Sequence, residues 1–246
     1  LILIKIVKTN SMKNVLIFAF FIFCLVAAQV SFAQTADEVV DKYVTALGGK
    51  EKMLALKTIK MTGSMNVQGA DVAIVATRKH MVGAKMDFSL MGTENYQLTT
   101  PEKSWSFMPI QQQTAPEEAS EEQHKSNVGQ LDIHGSLINY KEKGHTVEYK
   151  GKELVDGTEC YKLNVVAKSG KTSIYFIDTK TDRILKITSK SLRNGEEIES
   201  TTTFSDYKQN KDGYWFAYGM NTSQGEISYS EIETNVAVDD AFFKVN

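Results

Sequence analysis

The chain has 246 residues and only two cysteines, Cys24 and Cys160. Cys24 falls in a segment expected to be removed, so the remaining chain has no cysteine pair to form an intramolecular disulfide, and its stability must come from a hydrophobic core. Cys160 then reads as a small buried residue on a strand. Histidine is also scarce. His80, His124, His134 and His145 are scattered among expected loops and strand ends. Asp132 and His134 stand two apart, but no third ligand is visible beside them. The sequence contains no G-x-S-x-G elbow, no H-E-x-x-H, no C-x-x-C pair and no phosphate-binding glycine loop. The carboxylate pairs Glu196-Glu197 and Asp239-Asp240 read as surface and helix-start acids. No catalytic residue, cofactor or metal site is therefore expected. Nor is there an excess of basic residues: 28 Lys and Arg face 30 Asp and Glu. Residues 1–33 hold three of those lysines and no acid, so the rest is more acidic still. That balance gives no support to nucleic-acid binding or to attraction by an anionic lipid surface.

The apolar run at residues 15–28 is too short for a membrane span, which needs about 20 residues. Met12-Lys13-Asn14 before it and Ser31-Phe32-Ala33 after it give the run the flanks of a secretory signal peptide cleaved after Ala33. Residues 1–11 then lie upstream of the natural-looking start at Met12. Phe23 stands before Cys24, where a lipoprotein signal needs a small residue, and Gln34 rather than cysteine follows the cut. The expected product is an exported periplasmic protein without a lipid anchor, with residues 34–246 forming one domain.

That domain opens with a helix. Thr35 and Glu38 have capping-box spacing, and Val39, Val40, Tyr43, Val44 and Leu47 form one apolar stripe. Gly48-Gly49 ends it. Residues 51–56 read as one or two further turns. The period then becomes two, with Ile59, Met61, Gly63, Met65 and Val67 alternating with polar residues. Further strands follow around Val72 to Ala76, Met86 to Leu90, Tyr96 to Leu98, and residues 103–108. Residues 111–126, rich in Gln and Glu, are expected to be a mobile acidic loop. Leu131, Ile133, Leu137 and Ile138 suggest a short apolar helix between Val128 and Tyr140. Seven more strands are expected at residues 146–155, 159–168, 172–178, 184–192, 196–207, 214–221 and 226–234. Short strands punctuated by turn signals indicate an antiparallel meander or barrel.

A membrane barrel is excluded by charge. Lys60, Lys162, Lys186, Lys190, Glu197 and Glu199 occupy outward positions, and a lysine facing lipid at the bilayer midplane costs roughly 2–4 kcal/mol. The other face is apolar and soft: Met53, Met61, Met65, Met81, Met86, Met91 and Met108 crowd the first half of the sheet beside Phe88, Trp105 and Phe107. Methionine adapts to ligands of varied shape. The inner face of such a curved sheet is filled either by helices or by ligand.

The order of several motifs carries a resemblance. Gly157-Thr-Glu-Cys-Tyr161-Lys-Leu163 is followed by Tyr175-Phe-Ile-Asp178 and a Thr-containing turn into Arg183-Ile-Leu. Then come Phe204-Ser-Asp-Tyr207, Asp212-Gly-Tyr-Trp, and the segment from Ile232-Glu-Thr-Asn235 to Asp240-Ala-Phe-Phe243. With the opening helix and Gly48-Gly49, this resembles the outer-membrane lipoprotein-sorting proteins of the LolA/LolB-like superfamily. The resemblance implies an α+β fold, an unclosed antiparallel β-barrel of about ten strands, with the N-terminal helix and a short helix covering a concave apolar face. It also implies that this face takes up lipid or lipoprotein acyl chains. On that reading Met61, Met65, Ile74, Met86, Phe88, Trp105, Phe107, Leu131 and Leu137 line the cavity. Arg78, the only arginine before residue 183, is placed to hold the covering segment. The functional expectation is a soluble, monomeric, non-catalytic carrier that sorts acyl cargo toward the outer membrane, with envelope proteins as partners. The alternatives are an envelope regulatory module that binds an apolar peptide and an enzyme acting on an apolar small molecule.

Overall fold

The computed structural model describes residues 34–67, 69–193 and 196–245. The signal peptide expected over residues 12–33 lies outside them. Residues from Thr35 onward form one compact unit. No helix among the described residues is long and apolar enough to cross a membrane.

Helix α1 (Ala36–Ala46) begins at the expected capping box: the Thr35 hydroxyl accepts from the Glu38 amide, and the Glu38 carboxylate accepts from the Thr35 amide. It ends where Gly48 and Gly49 take positive φ angles of 117° and 97°, a region L side chains rarely adopt. Helix α2 (Lys50–Leu54) adds a short second piece.

All strands among the described residues belong to one antiparallel sheet. Its first half holds β1 (Thr58–Val67), β2 (Ala70–Lys79), β3 (Gly83–Leu90), β4 (Thr93–Thr99), β5 (Ser104–Phe107) and the two-residue β6 (Glu117–Glu118). Its second half holds β7 (Thr146–Val155), β8 (Thr158–Val166), β9 (Thr172–Asp178), β10 (Ile184–Arg193), β11 (Glu196–Gln209), β12 (Trp215–Thr222) and β13 (Gly225–Thr234). The spatial order is β6-β5-β4-β3-β2-β1-β13-β12-β11-β10-β9-β8-β7, so two meanders join where β1 pairs with β13. The sheet has 13 strands rather than about ten, and the two ends, β6 and β7, do not pair. It is an unclosed barrel.

At the β1–β13 seam the register shifts between Thr62 and Gly63. A Cβ on Gly63 would lie 2.1 Å from the Ser228 carbonyl oxygen, so only glycine allows the two strands this approach.

The inner face is the one that carries α1. Val39, Val40, Val44 and Leu47 of that helix pack with Leu163, Tyr175, Ile177, Tyr218 and Ile232 into the main core. On the outer face a small second cluster joins Val155, Cys160 and Phe176. Cys160 is fully buried there, and burial pushes its thiol up to about 11. The C-terminal tail covers the outer face at β1–β3. Thr58 donates to the Val236 carbonyl, Lys79 donates to Val238 and pairs with Asp240, and the buried Phe243 ring rests on Gly83.

Residues 111–126 are more ordered in form than their composition suggests. They contain β6 and helix α3 (Glu121–Asn127), which Ser120 and Gln123 cap reciprocally. The acids Glu121 and Glu122 sit at its N-terminal end, and His124 and Lys125 sit in its last turn, as the helix dipole favours. The short apolar helix expected between Val128 and Tyr140 is reduced to a 3-10 turn at Val128–Leu131. Beyond it the chain runs in turns that bury Leu137 and Ile138 against the α1 core.

Candidate functional site

The pairing registers build the site on the inner face. Met61 lies opposite Ala76, which lies opposite Met86; Gly63 lies opposite Ile74, which lies opposite Phe88; Met65 lies opposite Val72. Directly paired residues of antiparallel strands point to the same face. These rows therefore form a continuous apolar strip across β1–β3. Val72, Ile74, Ala76 and Ala84 are buried, while Met61, Met65, Met86 and Phe88 are half-buried. Of this strip only Met61 joins the core that α1 fills.

Beyond β3 the same face becomes polar. Phe88 pairs with Asn95, Met86 with Gln97 and Ala84 with Thr99; Gln97 and Thr99 in turn pair with Ser106 and Ser104 on β5. The Thr99 and Ser104 hydroxyls lie 3.0 Å apart, and Ser104 Oγ is 3.0 Å from His124 Nδ1 on α3. The Gln130 amide donates to Thr99 Oγ1 at 3.0 Å. Asn95 donates to the Thr93 carbonyl and accepts from the Ile110 amide. Residues 109–130 are thus fastened over β4 and β5 by hydrogen bonds.

The register corrects two expected cavity residues. Trp105 pairs with Leu98 and Phe107 with Tyr96, and those residues pair with Lys85 and Asp87. Trp105 and Phe107 therefore point outward, opposite to Met86 and Phe88. The Phe107 and Tyr96 rings pack at 5.7 Å, and the Lys85 ammonium lies 4.8 Å from the centres of both the Tyr96 and Phe242 rings.

The covering segment is held at several points. Buried Leu131 accepts from the Met81 amide at 2.9 Å. His134 Nε2 lies 2.9 Å from the Leu56 carbonyl oxygen, and a carbonyl only accepts, so Nε2 carries the proton. Buried Leu137 packs into the α1 core. Tyr140 and Lys141 both reach Asp37 on α1, the lysine at 2.7 Å. Hydrogen bonds from these two groups hold the Asp37 carboxyl below its ordinary range.

Arg78 is not among these fastenings. It lies on the inner face between Ile59 and Ala84, half-buried. Its side chain makes no hydrogen bond or ion pair with the described residues. Burial lowers its pKa, and the Tyr229 phenol opposes that shift. A guanidinium nevertheless keeps its charge in a protein. Arg78 is thus a cation on the inner face, in the next inward position of β2 after the strip residue Ala76. The role expected of Arg78, holding the covering segment, falls instead to Leu131, His134, Tyr140 and Lys141.

Residues 90–246 match the model of a protein family described as "Uncharacterized protein". No curated protein sequence matches the chain. Among solved structures, the chain is similar to a candidate outer membrane lipoprotein-sorting protein domain from Vibrio parahaemolyticus, at 17% identity and TM-score 0.53, covering 84% of this chain and 94% of that one. It is similar to a LolA superfamily protein from Nitrosomonas europaea at 14% identity and TM-score 0.55, covering 86% and 99%. It is also similar to a DUF1329 family protein from Desulfovibrio piger at 14% identity and TM-score 0.51, covering 85% and 97%. At these identities the likeness is one of fold, and the fold is that of the LolA superfamily.

Proposed function

We propose that this chain, which belongs to the family matched over residues 90–246 and has the LolA-like fold, shelters the acyl chains of a lipid or lipoprotein on its inner face. The carrying observation is the apolar strip of Met61, Met65, Val72, Ile74, Met86 and Phe88. It lies between the part of the face filled by α1 and the part closed by polar fastenings. Binding there is non-catalytic and serves transport through the periplasm toward the outer membrane. Each methylene moved out of water is worth about 0.8 kcal/mol, so ten sheltered methylenes supply about 8 kcal/mol before the costs of association.

The test is uptake of a fluorescent fatty acid by delipidated protein, together with native mass spectrometry of the protein as purified. Saturable uptake and co-purified lipid support the carrier. A delipidated protein that takes up no acyl probe refutes it. A stoichiometric protein partner with no bound lipid points instead to recognition of an apolar peptide.

A further inference from the structure

Three metal-ligating side chains that are distant in sequence meet where the covering segment touches the end of β2. His80 follows β2, and its amide donates to the Lys57 carbonyl. Asp132 and His134 belong to the covering segment. The ligand atoms of the three residues all lie within 4.8 Å of one another.

Each group is already oriented. His134 donates from Nε2 to the Leu56 carbonyl, which leaves a lone pair on Nδ1. This is how metal-bound histidines are commonly held, with the far nitrogen fixed by a backbone acceptor. His80 Nδ1 is buried and has no hydrogen-bond partner, and it lies 3.8 Å from Asp132 Oδ1. A buried polar atom without a partner costs stability and calls for an explanation. The two imidazoles stack at 3.9 Å with 26° between their planes. Asp132 is steered as well: Lys143 binds Oδ2 at 2.5 Å, while Oδ1 accepts from the His134 amide at 3.2 Å and faces His80.

We propose that His80, Asp132 and His134 bind a zinc-class divalent cation that pins the covering segment to the end of β2. Two neutral imidazoles and one carboxylate form a donor set suited to zinc, with a fourth position left for water. Ligand atoms of a tetrahedral zinc site stand roughly 3.3 Å apart, given bonds near 2 Å. Bringing the ligand atoms to that spacing takes side-chain rotations that also unstack the two imidazoles, because their lone pairs lie in the ring planes. Lys143 then acts as an outer partner that orients the carboxylate.

The site is independent of acyl binding, so its test is separate. The purified full chain, stripped with chelator, is titrated with Co²⁺ and then with Zn²⁺. One equivalent of Co²⁺ should produce visible ligand-field bands that Zn²⁺ abolishes. His80→Ala and Asp132→Asn should each weaken binding more than about tenfold, the scale of losing a group that shapes a metal site. His124→Ala, outside the cluster, should leave binding unchanged. On the parent protein, Zn²⁺ should shift the imidazole NMR signals of His80 and His134 alone and slow hydrogen exchange across residues 131–140. This measurement stands even where a variant folds poorly. Absence of saturable binding, unchanged affinity in His80→Ala, or signals that move equally in all four histidines would overturn the proposal.

Discussion

Phe88 and Phe107 offer a matched pair of perturbations, the same side chain removed from opposite faces of one sheet. Phe88 shares the inner face with Ile74 and Gly63, whereas Phe107 shares the outer face with Tyr96. If acyl chains lie along the inner strip, Phe88→Ala removes a ring from the ligand's surroundings. A fully buried phenyl is worth about 1.5–3 kcal/mol, which corresponds to a roughly tenfold to hundredfold loss of affinity. Phe107→Ala removes the tilted ring pair with Tyr96, worth about 0.5–1.5 kcal/mol of stability beyond its area. It should leave affinity within about twofold. Titration of each folded variant with a fluorescent fatty acid reads affinity, and urea unfolding reads stability separately. Equal loss of uptake in Phe107→Ala and Phe88→Ala, with the parent circular dichroism kept by both, would refute binding along the inner strip.

Three further outcomes follow from the packing. Gly63→Ala should destabilise the domain by about 1–3 kcal/mol in urea unfolding, because its Cβ meets the Ser228 carbonyl on β13; an unchanged midpoint would show that the seam is looser than described. Cys160 should react with a thiol reagent rapidly only in denaturant, since burial pushes its thiol up to about 11 and keeps it protonated at neutral pH; fast labelling of the native protein would contradict this. Asp37 has a folded pKa below its unfolded value, so its contribution is complete above the unfolded pKa of about 3.9 and is lost as pH falls through the folded value. Protection against hydrogen exchange across residues 137–144, taken relative to the intrinsic rate at each pH, should therefore change little from pH 7 to pH 5 and fall in stronger acid, and Asp37→Asn should lower it severalfold at neutral pH.

The strands were legible because alternation is a local property. Ile59, Met61 and Met65 declare a period of two, and the Thr35–Glu38 capping box and Gly48-Gly49 mark both ends of α1. Helix α3 was missed because it has no apolar stripe, although Ser120 and Gln123 hold a readable capping signal. Alternation also showed correctly that Trp105 and Phe107 share a face, and that Met86 and Phe88 share one. It did not say whether those faces are the same. That choice belongs to the β3–β4 and β4–β5 registers, and a slip of one residue inverts every side chain on a strand. Tyr96 and Leu98 are apolar, yet they face outward. On that side the C-terminal tail covers the neighbouring strands, with Phe242 against Lys85 and Phe243 on Gly83.

The sequence by itself determined the ends of α1, the positions of every strand but β6, the burial of Cys160 and an antiparallel meander with charged outer positions. Each follows from residues close together in the chain. The tertiary structure alone decided which apolar residues share the inner face, which groups fasten the covering segment, and that His80 meets Asp132 and His134. Those facts depend on pairing register and on contacts between residues 50 or more positions apart. Local periodicity carries no information about either.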